Sequence, residues 1–285
     1  MPRRAWLGWI STLIYLPLLY GLGWLTVQPA VAWGLLDGWR ADQIALLGTA
    51  LAFALLLLTL PRRLRTVWGE PRPWRTLGVA VGWAVGLRSL LRGLIKALLL
   101  LLLLAGVLLI SGQARWSGGL TPAEAINAVV LILGVGFAEE LVFRGWLWGE
   151  LSQRLGGGRP GDQRALITQA VVFSLAHTRF NLGAVPMAGL LVGLWLLGLA
   201  LGLQRRADGG SLWGAVGLHG GLVGGWFSLL AGPLQIQSTV PLWLAGPGGA
   251  DPNPIGGLLG WAGLGVLLWV RRRWFGSWPG SGPRG

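Results

Sequence analysis

The chain has 285 residues, of which 53% are hydrophobic and 12% charged, about half the charge of an ordinary soluble domain. It has no cysteine, which excludes disulfides, zinc–thiolate sites, iron–sulfur clusters and thiol nucleophiles. The net charge of +13 sits in short arginine clusters between long apolar runs. That is the pattern of an integral membrane protein in contact with a lipid bilayer, and it sets a nucleic-acid partner aside.

A spanning helix needs about 20 mostly apolar residues. The chain offers eight such stretches, at 6–25, 43–60, 78–110, 125–149, 165–180, 185–203, 211–230 and 254–270. The first follows Arg3-Arg4 and ends near Ala30-Val31-Ala32, in imitation of a signal peptide and its cleavage site. Its apolar run is too long for one, so it is expected to remain as a helix. In the third stretch Arg88, Arg92 and Lys96 recur every four residues, which predicts an interfacial segment over 77–93 before 94–110 crosses. The fifth is short and ends in the polar run Thr178-Arg179-Phe180-Asn181, so it is expected to stop partway across.

Charge then orients the chain. With the N-terminus in the cytoplasm and the spans alternating, 19 of the 23 basic residues fall on the cytoplasmic side, as the positive-inside bias requires. The expectation is an all-α membrane protein of about eight transmembrane helices. Both termini would be cytoplasmic, and a bacterial inner membrane is the expected setting. Three regions follow: 1–120 with the first three helices and a basic segment at 61–96, a core at 121–230, and 231–285 with a loop, the last helix and a basic tail. Small residues four apart, as in Gly217/Gly221/Gly225, predict close helix packing.

The few ionisable residues inside the spans are the expensive ones. The fourth span contains Glu139, Glu140 and Arg144 within six residues, and each costs about 2.5–3.5 kcal/mol at mid-bilayer. Glu140 and Arg144 are four apart and share a helix face, so they are expected to pair. Glu139 lies about 100° round the helix and is left over, a carboxylate available as a general base. The fifth span holds Phe173 and His177 four apart, and the seventh holds His219. Counted along their spans at about 1.5 Å per residue, the three groups Glu139, His177 and His219 fall in one middle layer. Their convergence would suit activation of a water, by general base or by a metal.

These residues resemble three motifs of one family. Glu139-Glu140-Leu-Val-Phe-Arg144-Gly is similar to the EExxxR signature of the CPBP (CAAX protease and bacteriocin-processing, Abi/Rce1-like) intramembrane proteases. Phe173-Ser-Leu-Ala-His177 is similar to their FxxxH motif, and His219 stands where their third motif begins. The likeness covers roughly 121–227 and implies a helical bundle that hydrolyses a peptide bond in a membrane-embedded or lipidated protein. It implies Glu139 as the base acting on water, and Glu140 with Arg144 as orienting groups. His177 would hold the water or a metal, with Phe173 packed beside it, and His219 would steady the oxyanion or act as a further ligand. One divalent metal such as Zn²⁺, held by Glu139, His177 and His219, and a metal-independent glutamate mechanism are equally compatible with these residues. Where the third motif often has Asn, this chain has Val223, which cannot donate to an oxyanion. A catalytically inactive scaffold or assembly factor is therefore the alternative, with a proton-coupled transporter behind it.

Overall fold

In the structure, a computed structural model, residues 3–248 and 252–275 are described. The chain divides into two units, Met1–Thr76 and Leu77–Gly285. The first is a helical hairpin of α1 (Arg3–Ala32) and α2 (Ala41–Arg63), the latter running on through a π-helical turn, Leu64–Trp68. Tyr15 and Thr59 join the two helices by a 2.8 Å hydrogen bond, and Arg63 stacks over the Tyr15 ring. Gly23 permits the close approach, since a Cβ there would strike the backbone of Gly48 and Ala52.

The second unit contains six further long helices among the described residues. They are α3 (Trp83–Ile110), α4 (Pro122–Arg154), α5 (Gly158–Ala176), α6 (Ala184–Ala207), α7 (Trp213–Ala231) and α8 (Leu258–Arg271). Six of the eight, α1 to α4 with α6 and α7, are long and apolar enough to cross a membrane. The other two stretches do form helices. However, α5 carries Arg159, Asp162 and Arg164 in its first turns, and α8 has only 14 residues.

Two short strands, β1 (Ala114–Trp116) and β2 (Leu234–Ile236), pair antiparallel beyond the ends of α3 and α7. Both helices therefore run towards this strand pair, and α4 starts beside it and runs the other way. The start of α4 is specified locally. Thr121 and Glu124 form a reciprocal capping box, with Pro122 at the first helical position.

Helix α7 is the axis of the unit. Gly217 lies against the backbone of Leu90 on α3, and Gly220 lies against that of Ile132 on α4. Each close approach is possible only because the residue has no Cβ. Leu218 and His219 are consequently buried between two helices.

Two expectations are corrected here. Within the segment 77–93, expected to stand apart from the crossing stretch 94–110, residues from Trp83 onward are continuous with that stretch in one unbroken helix, α3. Two members of the Arg88/Arg92/Lys96 ridge, Arg92 and Lys96, meet buried acceptors at the end of α6, while Arg88 is exposed. Arg92 bonds Asp208 at 2.8 Å, and Lys96 bonds Gln204. Nor are Arg205 and Arg206 merely markers of orientation, for both are buried. Arg206 pairs with Asp162, which also accepts from the Trp148 indole at 2.9 Å. The basic tail beyond Phe275, with Arg284, lies outside the described residues.

Candidate active site

The site is built on three helices, and α4 supplies most of it. Its regular winding is interrupted twice by π-helical turns, at Leu131–Val135 and Leu141–Leu147, with Gly136–Glu140 in ordinary α conformation between them. Such turns insert a residue and re-aim the side chains that follow, and they concentrate at functional sites. Glu139 and Glu140 occupy the α segment, and Phe143 and Arg144 occupy the second π turn.

Glu140 and Arg144 are wholly buried and bonded at 2.8 Å. The same carboxylate oxygen, Oε1, also accepts from His219 Nδ1 at 2.8 Å. The expected pair is therefore a three-residue link between α4 and α7. Phe173, also fully buried, joins these groups from α5. The Arg144 guanidinium lies 4.1 Å from its ring centroid, and the rings of His177, Phe143 and His219 surround it at 4.7, 5.0 and 5.7 Å. A cation over an aromatic face in a dry setting is attracted by the ring quadrupole, so Phe173 does more than fill space.

Glu139 turns the other way, as its position on the helix requires. Its Oε2 lies 3.3 Å from His177 Nε2 and 3.8 Å from His219 Nε2. His177 ends α5, and its Nδ1 donates to the Phe173 carbonyl at 2.8 Å. A carbonyl can only accept, so Nδ1 carries the hydrogen; likewise His219 Nδ1 donates to Glu140. In its neutral form each ring thus presents the lone pair of Nε2 towards Glu139. Three acceptor atoms facing one another repel unless a proton or a donor lies between them. Glu139 Oε2 is buried without a well-formed hydrogen bond. Glu139 and His177 are also the partly open members of the group, with side chains 28% and 33% exposed. At 3.3 Å Glu139 and His177 are in direct contact, and their open side faces the surroundings.

The structure thus brings together Glu139, Glu140, Arg144, Phe173, His177 and His219. Val223 lies one turn beyond His219 on α7 and supplies no donor. Among the described residues no group of three or more His, Asp or Glu is arranged to hold a metal ion.

Sequence reasoning missed Arg205. Its guanidinium donates to the backbone carbonyl of Arg144 and, at 3.2 Å, to that of Gly210. The Arg144 carbonyl, within the second π turn, thus receives a donor from α6. An arginine pair at a helix end gives only a topological signal in sequence, since its partner is 61 residues away.

Comparison with known proteins covers two parts of the chain. Residues 121–224 match the type II CAAX prenyl endopeptidase Rce1-like family, and residues 2–72 match a domain of unknown function. No curated protein and no solved structure matches.

Proposed function

We propose that this integral membrane protein is an intramembrane endopeptidase acting on a membrane-embedded or lipidated peptide, a reading supported by the match of residues 121–224 to the type II CAAX prenyl endopeptidase Rce1-like family. The observation that carries the reading is the convergence of His177 Nε2 and His219 Nε2 on one oxygen of Glu139. A water held between Glu139 and His177 loses a proton to Glu139 as its oxygen bonds the scissile carbonyl carbon. His219, held by Glu140 through Nδ1, steadies the developing oxyanion in its doubly protonated form, with Nε2–H as the donor, a role left to it because Val223 has no donor. Glu139 then passes its proton to the leaving nitrogen as the C–N bond breaks. Arg144 and Phe173 hold the frame. The positive-inside pattern supports cytoplasmic termini, with the bacterial inner membrane as the setting.

The test is cleavage of a panel of membrane-embedded and lipidated peptides in proteoliposomes, read by mass spectrometry. Glu139→Gln and His177→Ala are expected to lose at least about 100-fold in rate, the contribution of a general base, with unchanged melting in detergent. Cleavage retained by either variant overturns the assignment. Activity is expected to persist in a zinc chelator; loss that is restored by added zinc would place the water on a metal instead.

Val223 favours a second reading. In a non-catalytic scaffold the Glu140–Arg144–His219 link serves only to hold helices together, and a cellular phenotype would be rescued in full by the Glu139→Gln protein.

A further inference from the structure

Val223, one turn beyond His219 on α7, has a defined surrounding of its own. It lines a cavity of about 200 Å³ between α3, α7, α8 and the segment at 252–255. The walls are mostly apolar, with Leu104 of α3, Leu264 of α8, and Leu222 and Trp226 one turn apart on α7. The Trp226 indole donates to the Pro252 carbonyl at 2.8 Å and so holds the wall formed by that segment. An apolar cavity of about 150 Å³ already stays dry and takes a hydrocarbon guest. An Asn at 223 would set an amide against such a guest, whereas Val continues the wall.

The cavity is also open to the bilayer. Leu103 and Phe227, both on membrane-spanning helices, line it and are 57% and 60% exposed. The hydrocarbon at that face of a membrane protein is lipid acyl chain. Arg179, just past the end of α5, is the one charged residue among the described lining. It is exposed and forms no ion pair among the described residues. An arginine at a helix end reaches along its stem to the level of the headgroups.

We propose that this cavity is a lipid site that takes one acyl chain of an anionic phospholipid, with Arg179 on the headgroup phosphate region. The guest is selected twice: by apolar walls that accept a chain and reject a hydrated group, and by one cation that favours a negative head over a zwitterionic one. Its inner end comes within one helical turn of His219. The inference stands on the cavity and Arg179, and it does not require that the protein hydrolyse anything.

Photolabelling of the full chain in nanodiscs tests it. The probes are phosphatidylglycerol and phosphatidylcholine, each with a diazirine in one acyl chain, and the labelled peptides are mapped by mass spectrometry. Label from phosphatidylglycerol is expected on peptides containing 100–104 and 222–230, about fivefold above phosphatidylcholine, the contribution of one arginine near anionic headgroups. Arg179→Ala is expected to bring that ratio to about one and leave labelling by phosphatidylcholine unchanged, since a single cation accounts for the preference. Val223→Trp is expected to reduce labelling by both probes at these peptides. Equal labelling of the parent by both lipids, or a ratio that survives Arg179→Ala, overturns the proposal. Arg179 is exposed, so its variant is folded even if the tryptophan variant is not. Glu139→Gln should be labelled like the parent.

Discussion

Glu140 accepts from Arg144 and His219 on one oxygen, and neither the carboxylate nor the guanidinium has access to water. Removing one partner of such a link leaves a buried charge uncompensated, which costs about 3–5 kcal/mol, whereas replacing both by neutral groups costs far less. Arg144→Ala is therefore expected to lower stability by about that amount in thermal unfolding in detergent. The double variant Glu140→Gln/Arg144→Met should recover most of the loss, because Gln still accepts from His219. A double variant no more stable than Arg144→Ala would show that the link contributes little. The pairing of Glu140 with Arg144 was legible in sequence because four residues make one turn of helix. The third partner was not: His219 is 79 residues away, and only the crossing of α7 with α4 brings it to the same oxygen.

Among the elements, α7 and α4 differ in how much of their behaviour the sequence declares. The glycine spacing of α7 announces close packing, and the structure assigns alternate glycines to different neighbours. A Cβ at Gly220 would meet the backbone of Ile132, whereas one at Gly106 of α3 would enter open space. Overpacking of this kind costs about 1–3 kcal/mol, and here it would also push His219 away from Glu140. Gly220→Val is expected to lower the melting temperature and to abolish cleavage. Gly106→Ala should leave both within the small range of a change that touches nothing. Equal effects of the two substitutions would dissociate the glycine contact from the site. The two π turns of α4 could not be read beforehand. They arise where close neighbours hold an extra residue in the helix, and no local residue pattern marks them.

At the scale of the molecule, every residue of the candidate site belongs to the unit Leu77–Gly285, while Met1–Thr76 contacts chiefly itself. The division agrees with the two separate family matches at 2–72 and 121–224. A chain beginning at Leu77 is expected to fold in detergent as a monodisperse species and to keep the cleavage of the full chain. Aggregation of that fragment, or loss of cleavage in a folded one, would make the first hairpin part of the working structure.

Hydropathy, charge bias and the three short motifs by themselves determined that this is a helical membrane protein and which six side chains to watch. Those features are local: a span is a run of apolar residues, and a motif is a set of neighbours on one helix face. The tertiary structure alone decided what each charge is for. It turned Arg92, Lys96, Arg205 and Arg206 from apparent markers of the membrane surface into partners of Asp208, Gln204, the Arg144 carbonyl and Asp162. It also made Val223 the wall of a cavity. A buried charge is stabilised by whatever lies opposite it, and what lies opposite depends on how helices distant in sequence cross.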